Sequence, residues 1–283
     1  MKKVILSSLL CFSMFAQGQV QTPKASPKSK VQQTVGLTDI TISYSRPSIN
    51  ERVIFGGLIP FGERWRLGAN ENTKFQTTDD LSFEGGTLKK GTYALYAIPN
   101  KDNWTLEFYA DTTNWGMPDK WDEQKVVLRL KSGIEKPIMT TENLTIGIEK
   151  MEFNGAELAI SWEQMNVRFP FTINTRAKVI TSIDQTMKSK NISANDYYAA
   201  ANYFYSEKLD LKQALEWSEK AVQLKGENAY WMTRLFAQLK AANGDFEGAI
   251  KTALISIEAA EKDGDANYIR MNQASIEEWS KKK

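Results

Sequence analysis

The absences in this 283-residue sequence are its most informative feature: it contains no histidine and a single cysteine, Cys11. Without histidine the chain cannot build a Ser-His-Asp or Cys-His catalytic centre, and it cannot ligate zinc or haem through imidazole. One cysteine cannot form an intramolecular disulfide, so stability must come from the burial of apolar surface. Any chemistry is therefore left to carboxylates, hydroxyls, amines, guanidinium groups and aromatic rings.

Long apolar runs are also scarce, and the longest one opens the chain. Two lysines precede an apolar stretch at residues 4–15, and small residues follow at Ala16 and Gly18. This order is typical of a secretory signal peptide, and the run is shorter than the about 20 apolar residues that a membrane span needs. We therefore expect a signal peptide at residues 1–18 and an exported protein, periplasmic or at the outer surface, that begins at Gln19 and has no transmembrane segment.

Neither sign of charge is in excess. The chain carries 36 basic and 34 acidic residues, and removal of residues 1–18 takes away two lysines, which leaves 34 against 34. A neutral chain is a poor ligand for nucleic acid or for anionic membranes, so we expect neither partner. Cleavage also removes Cys11, and Leu10 stands before it where a lipoprotein signal has a small residue, so lipidation there is the less favoured alternative.

The residues that are present predict an α+β chain of two domains. Short segments that alternate apolar and polar residues fill positions 31–174, after a flexible stretch at 19–30, and they predict an antiparallel β-sandwich or barrel. Asn154-Gly155 predicts a type I′ hairpin turn, because both residues tolerate positive φ angles. The predicted strands are Thr38–Tyr44, Lys74–Thr78, Leu81–Glu84, Gly91–Ile98, Trp104–Ala110, Lys125–Lys131, Leu144–Phe153, Glu157–Glu163 and Arg168–Ile173.

Residues 175–283 have helical periodicity instead. "DLKQALEWSEKAVQL" aligns with "DFEGAIKTALISIEAA" 35 positions later, so that Asp210 matches Asp245 and Leu215 matches Ile250. A period near 34 with paired helices is typical of tetratricopeptide-like repeats. The sequence thus predicts a helical array that either holds a protein partner or supports the β-domain.

A polar loop is the strongest candidate for a site. "FGERWRLGANENTKF", residues 61–75, lies between predicted strands, and guanidinium groups there match carboxylates, phosphates and sulfates bidentately, while an indole face suits a sugar ring. We predict an anionic small molecule or a glycan as ligand, and no metal or other cofactor. The favoured alternative for the loop itself is a structural one, in which its acids neutralise its arginines. The candidate ligand-binding residues are Arg46, Arg52, Arg64, Trp65, Arg66, Asn70 and Glu71.

Several ordered motifs carry a resemblance to a known family. "YSRPS" from Tyr44, "FGERWRLGAN" from Phe61, "GTYALYAIP" from Gly91 and the later Trp104-Thr105 pair resemble the bacterial domain DUF2911, which is common in Bacteroidetes. The resemblance covers about Ser26 to Leu130 and extends toward Phe171. It implies export, a β-rich domain and a shared polar loop, and no reaction type.

Two functional classes follow from these observations. The first, which we favour, is an exported non-catalytic binding or scaffolding protein of the bacterial envelope. The second is a carboxylate-dependent glycan hydrolase or lyase that uses Glu71 or Glu63 as acid or base, with Arg66 holding an acidic substituent. Trp115 and Trp121 lie in a Gly/Pro-containing loop and are a further candidate platform for a carbohydrate. The favoured alternative is that these tryptophans cover the protein core.

We predict that the exported protein begins at Gln19, because Ala16 and Gly18 supply the small residues that signal peptidase requires. Intact-mass and N-terminal peptide analysis of protein recovered outside the cytoplasm checks this. A protein that retains residues 1–18 would contradict the assignment.

Overall fold

The computed structural model describes residues 22–282, so the signal peptide predicted at residues 1–18 lies outside the described residues. The chain forms two compact units, a β-rich one that ends at Thr175 and a helical one that begins at Arg176. The strands are β1 (Lys28–Val35), β2 (Thr38–Ser45), β3 (Thr73–Thr77), β4 (Leu81–Phe83), β5 (Gly86–Leu88), β6 (Gly91–Pro99), β7 (Asn103–Tyr109), β8 (Val126–Gly133), β9 (Thr141–Glu152), β10 (Gly155–Glu163) and β11 (Met165–Thr172).

The strands form two antiparallel sheets with one shared core. The first sheet has the order β1-β2-β3-β6-β7-β8 and the second the order β5-β4-β11-β10-β9. Apolar residues alternate with polar ones along strands such as β3, so each sheet has one apolar face. Phe75 and Leu106 of the first sheet and Leu158 and Phe169 of the second belong to the same buried cluster. The predicted α+β chain with an N-terminal antiparallel sandwich is confirmed.

The first strand, β1, was not among the predicted strands. Its sequence, KSKVQQTV, has only two apolar residues, and lysines and glutamines dominate the rest. The strand forms because it pairs antiparallel with β2 from Lys28↔Ser45 to Val35↔Thr38, at the edge of the first sheet. Charged residues on an edge strand discourage pairing with other chains, so the polar composition suits this position. Lys28 and Lys30 are thereby held beside β2.

The hairpin predicted at Asn154-Gly155 forms, but its turn is not the predicted one. Gly155 pairs with Glu152, so the two loop residues are Phe153 and Asn154, and neither Asn154 nor Gly155 has a positive φ. Gly155 is needed for a different reason: a Cβ there would lie 2.5 Å from the Phe171 carbonyl oxygen of the neighbouring strand. The glycine permits close approach of two backbones instead of a left-handed turn.

Six helices follow the sheets: α1 (Thr175–Met187), α2 (Ala194–Ser206), α3 (Leu211–Lys225), α4 (Tyr230–Ala242), α5 (Phe246–Asp263) and α6 (Ala266–Ser280). Asp210 and Asp245, which the 35-residue alignment matches, are the N-cap residues of α3 and α5. Asp210 accepts hydrogen bonds from two backbone N–H groups of the first turn and Asp245 from one, which explains why an aspartate stands at both positions. Within residues 22–282, no helix combines the length and apolarity that crossing a membrane requires.

We predict that Leu158→Ala lowers the free energy of unfolding by about 2–5 kcal/mol, because Leu158 is fully buried between the sheets and its truncation leaves a cavity. Leu37→Ala is the matched control, since Leu37 is 56% exposed. Urea unfolding followed by tryptophan fluorescence measures both. Equal losses in the two variants would contradict the assignment of this core.

Candidate functional site

Two of the predicted arginines bind backbone carbonyls of the β-rich unit. Arg46 donates from Nε to the Leu144 carbonyl at 2.9 Å and from Nη2 to Thr145 Oγ1 at 2.8 Å, which joins the end of β2 to β9 of the second sheet. Arg52 donates to the carbonyls of Ile49 and Ser48 at 2.9 and 2.7 Å, within its own loop. The structure thus gives both guanidinium groups acceptors inside the protein.

Arg64 belongs to a salt-bridge network on the outer face of the first sheet. Its guanidinium contacts both carboxylate oxygens of Glu107, at 2.6 and 3.2 Å, and Glu107 is fully buried. Arg129 contacts the same carboxylate at 2.7 Å and binds Glu123 at 2.8 Å. Trp121 covers Arg64, whose Cζ lies 3.7 Å from the ring centroid. Two arginines and two glutamates neutralise one another in this Glu107 network.

The tryptophans do not form one exposed row. Trp65 stacks on Trp162 at 5.6 Å between centroids and meets Trp104 edge-on at 6.2 Å, so it packs against the core. Trp121 stacks on Tyr109 at 4.5 Å. Trp115 stands apart because 68% of it is exposed. These aromatic rings therefore cover the protein core, with Trp115 as the exception.

Arg66 and Asn70 lie under the segment that precedes β8, residues 111–125, which we call the cover segment. A Cβ at Gly116 would lie 2.6 Å from Arg66 Nη1, and Gly116 has a φ of +76°, so only glycine fits there. Asn70 is itself in the left-handed region and contacts the Ser26 carbonyl and Ser45 Oγ, each at 3.4 Å. Arg66 Nε is buried and has no hydrogen-bond partner among residues 22–282.

Beside these groups lies a cleft of about 360 Å³, which we call the lysine cleft. It is formed by β1, β2 and the start of β3, whose register places alternate residues of three strands on one face. Three lysines line it against one glutamate, so the wall has an excess of positive charge. The lining residues on which the argument depends are Lys28, Lys30, Ser43, Ser45, Glu71, Asn72 and Lys74.

The charges of the lysine cleft are only partly neutralised. Lys28 Nζ contacts both oxygens of Glu71 at 2.8 Å. This hydrogen bond, with the nearby Lys24 and Lys74, holds the pKa of Glu71 below its usual range. Lys30 and Lys74 form no ion pair with any carboxylate of residues 22–282. Two ammonium groups in the cleft thus remain available to an external anion.

Asn72 is a buried polar group of the cleft, at 3% exposure, as is Ser45, at 2%. Neither its Nδ2 nor its Oδ1 makes a hydrogen bond of acceptable geometry within the described part of the chain. It lies close to Tyr96, where burial raises the pKa and the Asn72 amide opposes part of that rise. The Tyr96 hydroxyl donates instead to the Gly116 carbonyl at 2.9 Å. The Asn72 amide is therefore shielded from solvent and lies against Tyr96, at the edge of the cleft.

A slightly larger cavity, of about 410 Å³, is a weaker candidate. It lies where β4, β8 and β11 approach, and its cationic groups include Arg129 and Arg168. Both arginines already bind carboxylates, Arg129 those of Glu107 and Glu123 and Arg168 those on the second sheet. Its other walls are largely apolar. Among residues 22–282, no three acidic side chains lie close enough to hold a metal ion.

The sequence prediction and the lysine cleft share only a few residues. Glu71 lines the cleft, and Asn70 reaches its edge through Ser45. The three lysines, the serines and Asn72 were not predicted. An alternating Lys-Ser-Lys in "PKSKV" is a signal for an edge strand with lysines on one face, but the polar composition hid the strand itself.

These features define a protein with an antiparallel β-sandwich, a polar cleft on one of its sheets, and a helical array that follows in the chain. The chain belongs to the family described as "Protein of unknown function (DUF2911)", whose model matches residues 26–171. The match spans β1 to β10, all of β11 except its last residue, and the whole cleft. No curated protein and no solved structure matches the chain.

We predict that Glu107→Gln lowers the free energy of unfolding by about 2 kcal/mol, because Arg64 and Arg129 then lose a charged acceptor. Glu63→Gln is the control, since Glu63 is exposed and, although it precedes Arg64 in the chain, takes no part in the ion pairs of the network. We expect a change within about 0.5 kcal/mol. Chemical denaturation of both variants gives the comparison. A neutral Glu107→Gln would show that the network does not stabilise this face.

Proposed function

We propose that the β-rich unit is a binding module for a small anionic ligand, which it holds in the lysine cleft. The single observation that carries the proposal is the pair of ammonium groups on Lys30 and Lys74, which line the cleft and form no ion pair with a carboxylate of residues 22–282. An anion in the cleft would balance the charge of both lysines. The ligand class is the one predicted from the sequence, and apart from Glu71 the residues that line the cleft are different from the predicted ones.

The position of the predicted arginines supports a cleft site over a loop site. Arg46, Arg52 and Arg64 bind acceptors of the protein itself at 2.6–2.9 Å through Nε. A guanidinium whose fork is already engaged gains little from a further anion, because its donors point at fixed acceptors. Lysine ammonium groups on flexible stems, by contrast, can turn toward a ligand.

The hydrolase alternative has less support. A two-carboxylate mechanism needs a second acid about 5–10 Å from the first, and Glu71 is the one carboxylate among the lining residues of the lysine cleft. Lys28 lowers the pKa of Glu71, whereas a general acid at neutral pH needs a raised pKa. We therefore favour binding without catalysis, in an exported protein of the bacterial envelope.

The helical unit enters the proposal as a surface for a protein partner. Arg234 of α4 donates to Asn272 Oδ1 at 2.8 Å and to Ser275 Oγ at 3.4 Å, both on α6. Burial lowers its pKa, and no carboxylate within residues 22–282 pairs with it. A half-buried guanidinium with neutral neighbours fits an acidic group of a partner.

The test of the anion site is the double variant Lys30→Gln/Lys74→Gln. We expect it to weaken the binding of inorganic phosphate by about thirtyfold, because two favourable charges of about 1 kcal/mol each are lost. Isothermal titration calorimetry at low and high salt measures this, and affinity should fall as salt screens the lysines.

The matched control is Lys101→Gln/Lys190→Gln, which removes the same net charge from exposed positions outside the lining of the lysine cleft. We expect its affinity to stay within about twofold of wild type. Equal losses in both double variants, or no phosphate binding by the wild type, would refute the site.

A further inference from the structure

Lys30, Ser43 and Lys74 stand in one row across three neighbouring strands of the first sheet. Lys30 of β1 lies directly opposite Ser43 of β2, and Ser43 lies directly opposite Lys74 of β3. Residues that face each other in this way point to the same side of a sheet, and all three line the lysine cleft. Because neighbouring strands are about 5 Å apart, the Cα atoms of the two lysines are about 10 Å apart, with Ser43 midway between them.

Both ammonium groups can reach an anion that lies over Ser43. Each lysine has a flexible stem of four carbons, which is long enough to cover half of the distance between β1 and β3. The Ser43 hydroxyl forms no hydrogen bond with any group of residues 22–282, so its proton is available to the same anion. The three donors thus approach from two flanks and from below. A tetrahedral oxyanion offers oxygens in all of these directions, whereas a carboxylate has two oxygens in one plane.

The charges of the cleft match an anion with two negative charges. Glu71 binds Lys28 through both carboxylate oxygens at 2.8 Å, so this pair is neutral as a whole. Lys30 and Lys74 leave two positive charges that no carboxylate of residues 22–282 pairs. A singly charged ligand balances only one of them, because charge compensation is counted in whole units.

We infer that the ligand of the lysine cleft carries a tetrahedral dianion, a free phosphate or the terminal phosphate of a monoester, which lies between Lys30 and Lys74 and accepts a hydrogen bond from Ser43. The inference rests on the proposed anion site and adds the charge and the shape of its ligand. Carboxylates and phosphate diesters are disfavoured, because each carries a single charge.

The first experiment compares singly and doubly charged anions by isothermal titration calorimetry on the purified protein, in a buffer without phosphate or sulfate. Sulfate is measured against acetate, and methyl phosphate against dimethyl phosphate, at about pH 8. We expect the dianion of each pair to bind about tenfold more tightly, because only it balances both lysines. Inorganic phosphate, measured beside methyl phosphate, tells whether the site takes the free anion or a monoester.

The pH dependence of binding separates the charge of the ligand from the charge of the protein. A phosphate monoester has a second pKa of about 6, so methyl phosphate gains its second charge between about pH 5 and about pH 8, while sulfate keeps two charges throughout. The chain has no histidine, and the charged groups that face the cleft are Lys28, Lys30, Lys74 and Glu71, with Lys24 nearby. The lysines stay protonated over this range, and Glu71 stays ionised because Lys28 holds its pKa below the usual value. We expect methyl phosphate affinity to rise about tenfold with pH and sulfate affinity to stay within about twofold.

Three variants test the residues. Ser43→Ala should weaken methyl phosphate binding about fivefold, because the anion loses a hydrogen-bond donor. Its matched control is Thr41→Val, which removes a hydroxyl from the next position on the same face of β2, outside the lining of the cleft, and should leave the affinity within about twofold. Glu71→Gln should strengthen sulfate binding at least about threefold, because Lys28 is then released as a further free ammonium.

The outcomes separate this inference from the proposed function. If sulfate binds no better than acetate, and methyl phosphate no better than dimethyl phosphate, the anion site stands and the dianion is refuted. If no anion binds, both are refuted. A rise of sulfate affinity with pH as steep as that of methyl phosphate would show that a group of the protein titrates, and this too refutes the inference. Equal losses in Ser43→Ala and Thr41→Val would refute the hydrogen bond from Ser43.

Discussion

The outer face of the first sheet depends on one buried charge, the carboxylate of Glu107 in the middle of β7. Burying such a charge costs several kcal/mol unless it is paired and hydrogen-bonded, and removing one partner leaves that cost uncompensated. Arg64 and Arg129 supply the pairing from two sides. Because Arg64 belongs to the loop before β3, its bond to Glu107 fixes that loop on the sheet, and Trp121 of the cover segment then packs on Arg64.

This arrangement divides the face into two halves with different electrostatics. In the Glu107 network two arginines meet two glutamates, and the group is neutral as a whole. In the lysine cleft three lysines meet one glutamate, so the positive charges outnumber the negative charge. Asn72 lies between the halves: it lines the cleft, and it approaches Tyr96, whose hydroxyl bonds the cover segment at Gly116. The half that is already neutral holds the loops in place, and the other half is suited to a ligand.

The fold could be read from the sequence where the physical signal is local. The alternation in β3 and β10 and the capping aspartates at 210 and 245 are short-range patterns that predict strands and helix starts. The strand β1 could not be predicted, because its sequence is polar and the strand forms through its pairing with β2. The turn at Asn154-Gly155 was assigned to the wrong pair of residues, because the constraint on Gly155 comes from Phe171 of a neighbouring strand.

The candidate site was harder to predict than the fold, for a reason that lies in the chemistry of the two cations. A dense group of arginines indicates binding of planar acceptors, and the sequence cannot tell whether those acceptors are a ligand or the protein's own carbonyls and carboxylates. Here Arg46 reaches the Leu144 carbonyl, 98 positions later, and Arg64 reaches Glu107, 43 positions later. A rigid fork is well suited to such permanent contacts. A compact, strongly hydrated ammonium is less easily committed to fixed acceptors, so Lys30 and Lys74 can stay at the edge of a cleft and exchange water for an anion. In this chain the arginines therefore hold the loops around the cleft, and the proposed anion site assigns recognition to the lysines.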